Sequence, residues 1–143
     1  MKAKSEIKEL WTCPKCGRQF ERQGQSHSCR PYALEQHFVR KATGRILYDS
    51  FKKAIEKQVG AFKIESLECC IHFVRSSAFV AIKIFKDKIR VDFSLSRNIK
   101  SERFQQSVQM SAHRFLYYVD IYTADEMDEA LMEWVQEAYD LKK

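Results

Sequence analysis

Glycine is scarce in this chain, with 4 in 143 residues, and none stands in a phosphate-cradling loop. No nucleophile elbow and no carboxylate cluster with metal spacing occurs. These gaps argue for a binding module and against an enzyme. Long apolar runs are also missing, and no stretch approaches a membrane span, so no membrane partner is expected. The opening Met-Lys-Ala-Lys-Ser-Glu has no apolar run behind it, and no signal peptide is read there. The 5 cysteines cannot all pair internally. Cys69 and Cys70 are adjacent and poorly placed to bridge each other. A reducing, cytoplasmic compartment is the expectation. No internal repeat or low-complexity tract is seen.

What is present begins with metal-ligand chemistry. Cys13, Cys16, His27 and Cys29 fall in Trp-Thr-Cys-Pro-Lys-Cys-Gly-Arg and then Gln-Ser-His-Ser-Cys. Two thiolates on a tight turn, with an imidazole and a third thiolate a little further on, suit one tetrahedral Zn²⁺. Gly17 supplies the backbone freedom such a turn needs. Four protein ligands fill every zinc position, so the ion is expected to be structural, one per chain. A redox CxxC would open a helix with an apolar face, and Gln19-Phe20-Glu21-Arg22 shows none.

The formal net charge is +6, and it is uneven. Lysine and arginine crowd the first third, whereas the last segment carries Asp120, Asp125, Glu126, Asp128, Glu129, Glu133, Glu137 and Asp140. A basic front attracts phosphates.

Three segments follow: a polar lead over 1–10, the zinc knuckle over 11–30, and an α+β domain over 31–143. Leu47, Phe51, Ala54, Ile55 and Val59 recur at helical spacing and predict a helix over 43–59, with Gly60 as its stop. A short separate helix is read before it, between Leu34 and Lys41. Alternation predicts a strand through Leu67, Cys69, Ile71 and Phe73. A central strand follows over 79–85, then one through Ile89, Val91, Phe93 and Leu95. Residues 97–113 read as a basic loop carrying Arg97, Lys100 and Arg103. A fourth strand runs through Phe115, Tyr117, Val119 and Ile121. Thr123 and Glu126 fit a capping box, which opens a last helix burying Met127, Leu131, Trp134, Val135 and Ala138. The expected architecture is α-β-β-β-β-α, a four-stranded antiparallel sheet covered by helices on one face.

Several of these residues together resemble a bacterial family catalogued as domain of unknown function 5655. They are Trp11-x-Cys13-Pro14-x-Cys16-Gly17-Arg18-x-Phe20, Gln25-Ser26-His27-Ser28-Cys29, Leu34-Glu35-x-His37-Phe38, and the tail from Asp125 through Leu131 and Trp134-Val135 to Tyr139. His113 also sits where that family tends to show a histidine. The resemblance implies a fold and a zinc module, and carries no activity. The chain departs from the pattern at Val39-Arg40-Lys41-Ala42-Thr43 and at Cys70.

If the helices cover Leu67, Cys69, Ile71, Phe73, Val91 and Phe93, the other sheet face carries Cys70, His72, Arg90, Asp92, Ser94, Tyr118 and Tyr122. The candidate surface-binding residues are His37, Arg40, Lys41, His72, Arg90, Arg97, Lys100, His113, Tyr118 and Tyr122. Two binding roles compete. One is a protein or small-molecule partner on an exposed patch. The alternative is RNA or single-stranded nucleic acid, stacked on open-face aromatics with phosphates held by the basic knuckle. An enzyme built on His37, His72 or His113, oriented by Asp92 or Asp120, is the remaining reading.

Overall fold

The computed structural model describes residues 11–12, 19–20 and 32–142. The chain divides into two units, Met1–Tyr32 and Ala33–Lys143. In the first, β1 (Trp11–Thr12) pairs antiparallel with β2 (Gln19–Phe20), with Trp11 opposite Phe20 and Thr12 opposite Gln19. The four expected zinc ligands lie outside the described residues.

The second unit is α+β. A 3₁₀ turn (Leu34–Phe38) leads into α1 (Ala42–Gln58). Gly60 follows at φ 155, its N–H donating to the Ile55 carbonyl at 3.1 Å. Then come β3 (Lys63–Ser66), β4 (Ile71–Val74), β5 (Ala78–Ile84), β6 (Ile89–Leu95), β7 (Phe104–Ser111) and β8 (Arg114–Ile121). They form one sheet of 6 strands in the order β3-β4-β5-β6-β8-β7, and every neighbour is antiparallel. The last helix is α2 (Glu129–Asp140).

The sheet thus has six strands where four were expected, and both extra strands lie at its edges. At one edge, β3 pairs Ile64 with Phe73 and Glu65 with His72. Leu67, Cys69 and Cys70, read as strand, instead form the turn between β3 and β4, closed by the Leu67 N–H on the Cys70 carbonyl at 2.9 Å. At the other edge, β7 occupies the middle of the supposed loop. An outer strand needs only backbone partners on one side, so it carries no apolar alternation to betray it. Gln105, Gln106, Ser107 and Gln109 are all exposed.

Both helices pack on β5 and β6. Leu47, Phe51 and Ile55 of α1 and Leu131, Val135 and Ala138 of α2 meet Ile71, Phe73, Ile82, Val91, Phe93, Tyr117 and Val119 in one core. Aromatic rings fill it: Phe62 stacks on Phe73 at 4.2 Å, and Trp134 lies 5.0 Å from Phe104 and 6.2 Å from Phe93. The buried Tyr117 hydroxyl accepts from the Ile99 N–H at 2.8 Å and donates to the Arg97 carbonyl at 3.0 Å, fixing the connection out of β6.

The start of the last helix also differs from expectation. Glu126 reaches back to the Thr123 N–H at 3.1 Å, so the capping box forms, yet it caps a 3₁₀ turn (Ala124–Glu126). α2 has its own cap: the Asp128 carboxylate accepts from the Leu131 N–H at 3.1 Å. Among the described residues no helix is long and apolar enough to cross a membrane.

Candidate functional site

Strand register places Glu65, His72, Ala81, Asp92, Tyr118 and Gln106 in one row across the sheet, on the face opposite the helices. Ala81 is the small member, standing between His72 and Asp92. The His72 Nδ1 lies 3.5 Å from Glu65. Asp92 has no hydrogen-bond or ion-pair partner among the described residues, and burial pushes its carboxyl up to about 6. Partial burial disfavours its charged form.

The next row carries Lys83, Arg90 and Asp120. Asp120 is buried, and it accepts from Arg90 Nε at 2.6 Å, Arg90 Nη2 at 3.0 Å and Lys88 Nζ at 2.8 Å. Those hydrogen bonds hold its carboxyl below the usual range and raise both cations. Lys88, Arg90 and Lys83 also ring Phe85, at 4.9, 5.5 and 5.6 Å from its centroid. Tyr122 is 50% exposed beside Lys88, whose Nζ lies 5.6 Å from the ring.

At the same end of the sheet, Phe38, Arg40, Lys41, Ala42, Thr43 and Lys86 line a cleft of about 420 Å³. Lys41 Nζ donates to the Ile84 carbonyl at 3.0 Å, tying the start of α1 to the β5–β6 turn. Arg40 is exposed and holds a left-handed φ of 59.

The candidate residues therefore fall into separate places. Arg90, Tyr118 and His72 share the helix-free face, with Tyr122 at its end. Arg40 and Lys41 line the cleft. His37 is buried in the 3₁₀ turn, with Nε2 at 3.1 Å from Ser66 Oγ, and burial lowers its pKa. His113 is exposed in the β7–β8 turn at the far end. The three histidines are not brought together.

Arg97 does not face the open sheet. It clamps Glu137 of α2 through two contacts of 2.9 Å. Arg103 likewise reaches Asp128 at 2.7 Å and the Glu126 carbonyl at 2.5 Å. Two cations of the supposed basic loop are thus neutralised by the acidic last segment, and Lys100 alone of the three is exposed without such a pair. Lys83, Phe85 and Lys86 were missed as surface residues. Lys83 was legible, being a lone cation inside an apolar strand.

This arrangement defines an α+β module: an antiparallel sheet backed by helices on one face, with a polar, partly charged face that no helix covers among the described residues. The model of the family described as Domain of unknown function (DUF5655) matches residues 35–142, and the chain belongs to that family. The matched stretch begins after the CxxC and HxC segments, so the zinc motif is no part of it. No curated protein and no solved structure matches the chain.

Proposed function

We propose that this chain is a zinc-containing, cytoplasmic binding module that engages a protein or small-molecule partner through the helix-free face of its sheet. One observation carries the reading: Asp92, a half-buried carboxylate between Ala81 and Tyr118 in the central row of that face, has no hydrogen-bond or ion-pair partner among the described residues. A carboxylate that no protein group engages is available to a ligand that donates to it. The partner would place a hydrogen-bond donor over Ala81, between His72 and Asp92. Tyr118 and Tyr122 would offer ring surface beside it. Binding rather than catalysis fits a face whose other carboxylates, Glu65 and Asp120, already hold partners.

The metal would be structural. The in-register pairing of Trp11 with Phe20 and Thr12 with Gln19 brackets Cys13-Pro14-Lys15-Cys16-Gly17-Arg18, and a tight CxxC turn needs such a hairpin. Cys13, Cys16, His27 and Cys29 would supply the donors. Elemental analysis should return one zinc per chain, and Cys16→Ser should release it.

Nucleic acid is the second reading, and one observation favours it: Arg40, Lys41 and Lys86 line a single cleft. The experiment compares what co-purifies from the native cytoplasm with the wild type and with Asp92→Lys at two salt concentrations. Material lost with Asp92→Lys and retained at about 200 mM salt supports the sheet-face reading. Nucleic acid that leaves steeply with salt, and is indifferent to Asp92, supports the other. Identical material under all conditions rejects both.

A further inference from the structure

Adjacent cysteines in a strand point to opposite faces, which keeps their sulfurs apart. Cys69 and Cys70 are not in a strand. They sit in the turn joining β3 to β4, where the alternation is broken, and their Sγ atoms lie 3.1 Å from each other. Cys69 is exposed and Cys70 half-buried. We propose that Cys69 and Cys70 form a vicinal dithiol, a redox modification site that a small-molecule disulfide converts to a Cys69–Cys70 bond. Adjacency, which argued against bridging in the sequence, does not separate the sulfurs here.

The two thiols have different parts in the reaction. A bulky disulfide reaches the exposed Cys69. Its thiolate attacks one sulfur of the reagent, the reagent's S–S bond breaks, and one thiol leaves, giving a mixed disulfide on Cys69. Cys70 then loses its proton and attacks the Cys69 sulfur. The mixed disulfide breaks, the Cys69–Cys70 bond forms, and the second thiol leaves. Two electrons pass from the pair to the reagent, and the two cysteine protons end on the two released thiols. Burial first, and then the contact with Cys69, hold the Cys70 thiol up to about 12, so it makes a poor first nucleophile. Its position beside Cys69 offsets that handicap in the second, intramolecular step.

The bond would be labile. Neighbouring Cα atoms stand about 3.8 Å apart, under the roughly 4.4–6.8 Å that most disulfides span. Strained, exposed disulfides belong to the easily reduced class that serves regulation. The turn also adjoins Ser66, which holds His37 at 3.1 Å, so oxidation acts next to the anchor of the 3₁₀ turn.

Trypsin cuts after Lys63 and Arg75, and in the resulting peptide 64–75 these two are the only thiols, so Cys13, Cys16 and Cys29 do not confuse the readout. The full chain is treated with glutathione disulfide, trapped in acid, alkylated and mapped by mass spectrometry. Peptide 64–75 should lose two hydrogens, take up no alkylating reagent, and be restored by dithiothreitol. Cys70→Ser should stop at the mixed disulfide on Cys69. Phenylarsine oxide, which condenses with two thiols and releases one water, should bridge the wild-type peptide and neither the Cys69→Ser nor the Cys70→Ser variant. A wild-type peptide that ends as a stable mixed disulfide, or with both cysteines alkylated and no arsenical bridge, would overturn the proposal.

Discussion

Arg90 and Asp120 face each other across β6 and β8, and the guanidinium grips the carboxylate through Nε at 2.6 Å and Nη2 at 3.0 Å. The Asp120 side chain is 3% exposed, whereas Arg90 keeps 35%. The anion is thus the buried member, and its removal strands two cations.

Asp120→Ala should lower stability by about 2 kcal/mol at pH 7, because a partly buried pair is broken from one side. Its folded-state pKa is depressed, so the stabilisation is full above about pH 4 and fades as pH falls through the lowered value. Urea titrations of wild type and variant should therefore converge in acid. A constant gap at every pH would contradict the pairing.

Asp92 carries the opposite sign. Its folded-state pKa is raised to about 6, so its contribution is complete below about pH 4 and is lost as pH rises through 6. Asp92→Asn should be about 1–2 kcal/mol more stable than wild type at pH 7 and no more stable at pH 3.5. Denaturation at the two pH values decides it. A variant weaker at pH 7 would mean the carboxylate has a partner after all.

Burial lowers the His37 pKa beneath 6.5, so the unfolded chain takes up its proton first. The stability tied to neutral His37 is full above about pH 6.5 and is lost as pH falls below it. His37→Gln should flatten the decline in melting temperature between pH 7.5 and 5.5. Ser66→Ala should cost about 1 kcal/mol at pH 7.5 through the lost hydrogen bond.

Gly44 is buried where α1 meets the end of β5. A Cβ there would stand 2.3 Å from the Phe85 carbonyl oxygen and 2.6 Å from Ile84 Cγ2. Alanine favours a helix by about 1 kcal/mol over glycine. Gly44→Ala should nonetheless destabilise, by about 2 kcal/mol or more, since backbone must move. Thermal unfolding that rises instead would show that α1 is held less closely than this.

Period and polarity made much of the body legible. Residues 89–95 alternate cleanly because β6 is central, with one face in the core and the other turned away from the helices. The helix read over 43–59 spans 42–58, since its apolar stripe has to meet the sheet. The edge strands escaped for the reverse reason. Gln106 and Ser107 bury little, and β7 is held by backbone bonds to β8 that leave no mark on side-chain choice. Leu67, Cys69 and Ile71 alternate by chance across a turn.

The sequence by itself determined the α+β class, the central strands and both helices, because burial acts through residue type at short spacing. Only the tertiary structure decided which charges remain available. Arg97 and Arg103 look like free cations until α2 folds against them, and Asp92 looks like an ordinary surface acid until neighbouring strands half-bury it. Neutralisation and desolvation depend on groups distant in the chain, and local pattern carries no record of them.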